Sequence, residues 1–229
     1  MKQHRFAVVA GLALIAGAAQ AGSYTITPTI ATDYDFRGSS QTDPIDQNGK
    51  PAFQVGGTYT FDQGFYAGAW GSNVDDSIQA LGIDGDNIEL DFYGGYAWGD
   101  ASTSFAYDAG LIAYTYPGFS DANTVEGYIN VSRDFYSAKL SYSPDVGSSG
   151  DSGFYAEVNA NYPMSTTGLS LLGHAGKVFG QAYNGRVDFS AGVGYAVGKL
   201  DFAVKYVDGN KDIKSRVIGS ISTTLPWGE

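Results

Sequence analysis

From Phe53 to Phe61 the chain reads Phe-Gln-Val-Gly-Gly-Thr-Tyr-Thr-Phe, with apolar and aromatic side chains on odd positions and polar or very small ones on even positions. A period of two belongs to a strand whose faces meet different surroundings, and a helix cannot use it. Asp62-Gln63-Gly64 then offers a tight reversal, and Phe65 to Val74 runs back. On the other side, Gly38 to Pro51 is long, polar and interrupted by proline and glycine. A short turn at one end of a strand pair and a long loop at the other is the pattern of an outer-membrane barrel.

The rhythm recurs. Twelve candidate strands lie near 24–37, 52–61, 65–75, 87–98, 102–115, 123–134, 137–144, 153–162, 168–178, 186–197, 200–208 and 213–225. Between them, short turns (Asp62 to Gly64, Gly99 to Ala101, Phe135-Tyr136, Pro163 to Thr167, Gly198-Lys199) alternate with connections that are mostly longer and more polar. The predicted fold is therefore all-β: a transmembrane up-and-down antiparallel β-barrel of twelve strands, with ten or fourteen as alternatives. An even number puts both ends of the barrel on the short-turn side.

Met1 to Ala21 reads as a secretory signal, with a basic start (Lys2, His4, Arg5), an apolar run from Phe6 to Ala18 and an Ala-Gln-Ala cleavage site. Residues 22–229 are then one barrel domain, expected in a bacterial outer membrane. The chain carries 13 Lys and Arg against 24 Asp and Glu, and without Lys2 and Arg5 the balance is about −13. Such a charge disfavours nucleic acid as a partner. Cysteine is absent, so disulfide and thiolate chemistry are not expected.

The faces follow from the alternation. Val187, Phe189, Ala191, Val193, Tyr195 and Val197 share one face, opposite Asp188, Ser190, Gly192 and Gly194. A soluble sandwich alternates in the same way, so the placement of aromatics is the better guide. Phe61, Tyr66, Tyr96, Trp98, Phe105, Phe135, Tyr162, Tyr195 and Trp227 fall near short turns, and Tyr34, Phe36, Phe53, Tyr114, Tyr142, Phe154, Phe189 and Tyr206 near long loops. Two girdles around an aliphatic belt suit two lipid interfaces, where an amphipathic ring is best placed. Pro28 departs from the pattern, since proline cannot donate to a ladder, and predicts a bulge or a later strand start. The ending Pro226-Trp227-Gly228-Glu229 also departs from the usual terminal aromatic.

On the inward face the alternation places Asp33, Asp35, Arg37, Glu89, Asp91, Asp108, Glu126, Lys139, Glu157, His174, Asp188, Asp201, Lys205 and Arg216 as pore-lining candidates. Charges so frequent cannot face lipid, where a midplane Arg or Lys costs about 2–4 kcal/mol. An aqueous interior with this acidic excess attracts cations, while a mutually paired one closes the barrel and leaves a structural anchor. Asp33, Asp35 and Arg37 are expected on the first strand near its outer end, with Glu89 and Asp91 close by. No long inward-folding constriction loop is evident. His174 is the only histidine after the signal, and with Ser170 on the same face it defines a barrel-hydrolase alternative. No catalytic or cofactor-binding motif brackets it, and one histidine without cysteine makes a zinc site implausible. Asp75, Asp76, Asp84 and Asp86 read as a solvated acidic loop rather than a divalent-ion site, and Glu89 with Asp91 as lumen wall rather than a glycosidase pair. The expected partners are outer-membrane lipid and lipopolysaccharide, the barrel-assembly machinery in transit, and small solutes or cations.

One stretch carries a family resemblance. Asp33-Tyr34-Asp35-Phe36-Arg37-Gly38, Ser40-Gln41-Thr42-Asp43, Lys50-Pro51-Ala52, Gly64-Phe65-Tyr66-Ala67-Gly68 and Trp70-Gly71-Ser72-Asn73-Val74 resemble the N-terminal signature of the TorF-type porins of proteobacteria. That resemblance implies a porin-like outer-membrane barrel for passive diffusion, and it names no solute.

Overall fold

The computed structural model describes residues 22–75, 87–146, 149–164, 167–182 and 185–226. Its strands are β1 (Ser23–Ala31), β2 (Asp35–Phe36), β3 (Ser39–Ser40), β4 (Ala52–Thr60), β5 (Phe65–Asn73), β6 (Ile88–Gly99), β7 (Ala106–Thr115), β8 (Thr124–Arg133), β9 (Tyr136–Ser143), β10 (Gly153–Pro163), β11 (Leu169–Gly180), β12 (Val187–Val197), β13 (Leu200–Gly209) and β14 (Arg216–Ser222). All except β2 and β3 form one closed antiparallel barrel of twelve strands, each paired with its neighbours in the chain, with β1 closing the ring between β4 and β14. The predicted fold class and strand number are borne out.

The faces are inverted relative to a soluble protein. Phe53, Leu111 and Val217 are 62–63% exposed on the outside, whereas Glu89, Asp188 and Glu126 are 1%, 2% and 4% exposed inside. An apolar exterior around a polar interior is the arrangement of a barrel that crosses a bilayer. Aromatic pairs mark both rims. Phe65–Tyr96, Tyr96–Trp98, Trp98–Tyr107 and Phe135–Tyr162 lie at the short-turn end with centroids 4.8–5.6 Å apart, and Tyr142–Phe154 lies at the long-loop end at 4.8 Å. Four aromatics expected in the girdles face inward instead. Tyr34, Tyr66 and Tyr114 are buried, and Phe36 packs on Tyr114. On β5 it is Phe65, one residue away, that takes the lipid side (55% exposed), so a single step of the alternation separates girdle from lumen. Trp227, Asp76, Asp84 and Asp86 lie outside the described residues.

Two features of β1 differ from expectation. Pro28 is neither in a bulge nor before the strand; it pairs with Val55 of β4. Its carbonyl faces Thr223, whose backbone N–H donates to it at 3.3 Å, so the missing N–H falls on the closure seam. There the β1–β14 ladder lapses between Thr29↔Ser222 and the isolated Ile26↔Leu225 bridge. In addition, β1 ends at Ala31, not near residue 37: its pairing with β4 stops at Ala52, while on the β14 side Thr32 still donates its N–H to the Gly219 carbonyl at 2.9 Å. Beyond Thr32 the chain leaves the ladder.

A ring without free edges resists strand-by-strand peeling. The protein is expected to require detergent for extraction and to migrate faster on a gel unboiled than boiled. A monomer soluble in plain buffer would overturn the membrane-spanning reading.

Candidate functional site

The segment from Thr32 to Pro51 folds into the barrel from the long-loop end. Its tip is a two-residue hairpin, β2 against β3, with Arg37 (φ 51) and Gly38 (φ 82) at the turn. Two consecutive positive φ angles are what a type I′ turn needs, and glycine takes the second at no steric cost. The fit is close: a Cβ on Gly38 would stand 2.6 Å from both Asp188 Cβ and Ile213 Cδ1.

Arg216, on β14, fixes the base of this segment. Its Nε donates to Asp33 Oδ2 (2.5 Å), Nη1 to the Gly38 carbonyl (2.9 Å) and Nη2 to Asp35. Ser40 Oγ (2.5 Å) and Thr42 Oγ1 (2.7 Å) supply donors to the other Asp33 oxygen. Burial pushes the Asp35 carboxyl above the usual carboxylate range, against the pull of Arg216 and Lys205. The tip reaches the opposite wall. Arg37 forks onto both carboxylate oxygens of Glu126 on β8, at 2.8 and 2.6 Å, with its guanidinium 4.3 Å from the Tyr155 ring centroid. In the ring order β14 and β8 stand six strands apart, so the segment bridges diametrically opposed walls.

Further contacts tie its flanks. Tyr34 donates to Glu89 Oε1 at 3.3 Å and meets Trp70 edge-on at 5.2 Å. Arg186 donates to Ser39 Oγ. Below the tip, Tyr155 donates to both Asp188 oxygens at 3.0 Å, and His174 Nε2 lies 2.6 Å from Asp188 Oδ2 while Nδ1 lies 2.7 Å from Asn159 Oδ1. Asn159 continues to Glu157, which pairs with Lys139 at 2.8 Å. Nearer the short turns, Tyr66 donates to Asp108 at 2.6 Å and touches Tyr128.

All the candidates found by alternation face the interior, but three are not on the wall. Asp33, Asp35 and Arg37 belong to the inward segment, correcting their assignment to the first strand and the expectation of no constriction loop. The structure links them with Arg216, Glu126, Asp188 and His174, adds Glu157 and Lys139 through Asn159, and attaches Glu89 through Tyr34. Asp91 lines the wall beside Tyr114, Lys205 lies within electrostatic reach of Asp35, and Asp108 sits in the lower tyrosine cluster. Asp201 lies near the short-turn rim, opposite Ser222 of β14. The sequence reading missed Tyr34, Ser40, Thr42 and Tyr155. The one signal for them was Arg37-Gly38 flanked by polar residues, which suits a two-residue hairpin.

The hydrolase arrangement does not form. Both His174 nitrogens face acceptor oxygens, and Ser170, four residues away along an extended strand, is about 13 Å distant. Among the described residues no three His, Asp or Glu side chains are placed to hold a metal.

Glycines make room for the inward rings. Tyr66 lies over Gly95, Tyr93 over Gly68, Tyr128 over Gly110 and Tyr155 over Gly176 on adjacent strands. Gly176→Ala should drive Tyr155 off Asp188 and cost about 1–3 kcal/mol, as overpacking generally does. Urea unfolding of the refolded barrel measures it, and unchanged stability would show that the ring has another resting place.

Comparison with known proteins places this geometry. The KdgM porin is similar in structure at a TM-score of 0.56 and 8% identity, covering 89% of this chain and 99% of that one. The NanC porin gives 0.51 and 9%, covering 88% and 98%. The COG4313 outer membrane channel from Pseudomonas putida F1 gives 0.50 and 10%, covering 92% and 97%. At such identities the likeness is one of fold. No curated protein matches the sequence. Residues 16–223 match the model of Gcw_chp, described as a bacterial protein of unknown function. The chain therefore belongs to the Gcw_chp family, and has the fold of outer-membrane porins.

Proposed function

We propose that this protein is a narrow outer-membrane channel for small hydrophilic solutes or ions, exported through a cleaved signal and biased to cations. The observation that carries this is an interior lined by charge and crossed by a folded-in segment, inside a porin-type ring. Rings of charged side chains are what ion pathways through a barrel use. The TorF-type resemblance of residues 33–74 supports the same reading.

The ion pairs support that bias. Arg37 is matched by Glu126, Lys139 by Glu157, and Arg216 by Asp33 and Asp35. Among the inward-facing groups left over, Glu89, Asp91, Asp108 and Asp201 outnumber Lys205. Fixed carboxylates in a narrow pore with low-dielectric walls concentrate cations. One KdgM structure holds disordered oligogalacturonate, and a polyanion of that kind is poorly suited to this acidic lumen.

A second reading, a closed anchoring barrel, is favoured by the segment that spans the lumen from wall to wall. Single-channel recording of the refolded protein separates the two: steady openings support the channel, and silence supports the closed barrel. Across a KCl gradient the native protein should favour K⁺. Replacing Glu89, Asp91 and Asp108 by their amides should remove most of that preference at low salt, where the screening length is about 10 Å at 0.1 M. Anion selectivity, or selectivity unchanged in the triple variant, would overturn the cation bias. A hydrolase reading would require lipid or peptide hydrolysis that is lost in His174→Ala.

A further inference from the structure

Glu89 and Asp91 form a buried acidic pair without a counter-charge. They stand two residues apart on the inward face of β6 and are 1% and 5% exposed. Their carboxylates lie within hydrogen-bonding reach of each other. Glu89 Oε1 accepts from Tyr34, but Glu89 Oε2 and Asp91 Oδ1 are buried with no hydrogen-bond partner. An orphaned buried acceptor is costly, and two like charges side by side cost more.

The chain's own cations do not relieve this. Among the described residues no Lys, Arg or His lies within ion-pair distance of either carboxylate. Arg37, which reaches across the lumen, is forked onto Glu126, so those two bring no net charge. Lys50 pairs with Asp75 and Asp43. The acidic pair therefore calls for a cation from outside the chain.

The surroundings supply oxygen. Tyr34 and Tyr116 both bring hydroxyls to Glu89. Gln54 of β4 faces Ser72 of β5, which in turn faces Glu89, so the three form one cross-strand row. Gln54 is 6% exposed and its Nε2 is also buried without a partner. Turning that amide over puts a carbonyl oxygen where the orphaned donor stands. Two carboxylates, two hydroxyls and an amide suit a hard cation, and two negative charges match a divalent one. Ca²⁺ accepts irregular oxygen sets completed by water, so a third carboxylate is not required, whereas Mg²⁺ demands near-octahedral geometry. Glu89 is the second residue of β6, which puts the pair just inside the long-loop end.

We propose that Glu89 and Asp91 hold a calcium ion just inside the outer mouth, with Tyr34, Tyr116 and Gln54 completing its oxygen shell, and that the ion ties the inward segment to β6 through Tyr34. This rests on the outer-membrane reading, which exposes that mouth to the external medium, and is independent of whether the lumen conducts.

The test is a Ca²⁺ titration of the refolded barrel in neutral detergent at constant ionic strength, read by the midpoint of heat modification. The midpoint should rise with an apparent Kd of about 0.1–1 mM, the range of extracellular calcium modules. Asp91→Asn should weaken that affinity about tenfold, since one of two charged ligands is lost. Adding Glu89→Gln should abolish the shift, and if the double variant does not refold, Asp91→Asn alone decides. Asp62→Asn, in a short turn at the opposite end, should respond as the native protein does.

Tb³⁺, a luminescent ion that takes the same oxygen ligands, gives a second readout. Trp70 pairs with Asp91 across β5 and β6 and meets Tyr34 at 5.2 Å, so it is placed to sensitise an ion held there. Tryptophan-excited Tb³⁺ emission should appear in the native protein, be displaced by excess Ca²⁺, and fall in Trp70→Phe, which keeps its Ca²⁺-dependent shift. Emission unchanged in Trp70→Phe places the ion elsewhere and overturns the inference. So does the absence of a Ca²⁺ shift, an unchanged shift in Asp91→Asn, or an equal shift from NaCl, which marks screening of the acidic surface. A midpoint that rises on acidification but ignores Ca²⁺ assigns the pair a shared proton and overturns it too. Failure of the membrane reading itself is seen beforehand, as a barrel soluble without detergent.

Discussion

Replacing Arg216 with alanine is expected to destabilise the barrel by about 3–5 kcal/mol, the cost of removing one partner from a buried ion pair. The side chains of Arg216 and Asp33 are 5% and 2% exposed, so the Asp33 carboxylate cannot turn to solvent once the guanidinium is gone. The Gly38 carbonyl loses its donor as well. Arg216→Lys should recover only part of the loss, because an ammonium cannot match a fork that serves two carboxylates and a carbonyl. Adding Asp33→Asn and Asp35→Asn to the alanine variant should restore stability, since the stranded charges are then absent. Urea unfolding in lipid vesicles reads all three. A loss below about 1 kcal/mol, the range of exposed pairs, would show that water reaches these groups.

Excising Asp35 to Ser40 is expected to raise single-channel conductance several-fold. The backbone N–H of Gln41 already donates to the Tyr34 carbonyl at 2.7 Å, so a two-glycine bridge closes the gap without disturbing β1 or β4. Excision removes the tip that crosses from Arg216 to Glu126. Arg37→Ala is the milder form: it frees the tip from β8 and from the Tyr155 ring, and should give larger but noisier openings than the native protein. Unchanged conductance in the excised barrel would place the conducting path elsewhere. If the native protein is silent and the excised one conducts, the segment is a plug and the anchoring reading gains.

Much of the architecture was legible because the relevant signals are local. Alternation in Val187 to Val197, or in Thr124 to Arg133, identifies both faces, and turn residues such as Gly198-Lys199 mark where strands reverse. The inward segment was not legible for a related reason. Asp33, Asp35 and Arg37 alternate with Tyr34 and Phe36 just as residues of a wall strand do. Period two cannot distinguish a strand in the wall from a hairpin inside it. Tyr66 and Tyr114 were misplaced for lack of a criterion separating an interfacial tyrosine from one bonded along the inner wall, here to Asp108 and near Glu126.

The sequence by itself determined the closed meander and which charges avoid lipid, and put twelve strands ahead of ten or fourteen, since each follows from periodicity, turn chemistry and the cost of charge in hydrocarbon. Only the tertiary structure decided where β1 stops, because that depends on how far β4 and β14 extend beside it in register. Once the pairing with β4 stops at Ala52 and Thr32 has made its bond to Gly219 of β14, the backbone polar groups farther on must find other donors and acceptors. They find them inside the barrel, where Arg216 and Glu126 on opposed strands hold a segment whose local pattern looked like more wall.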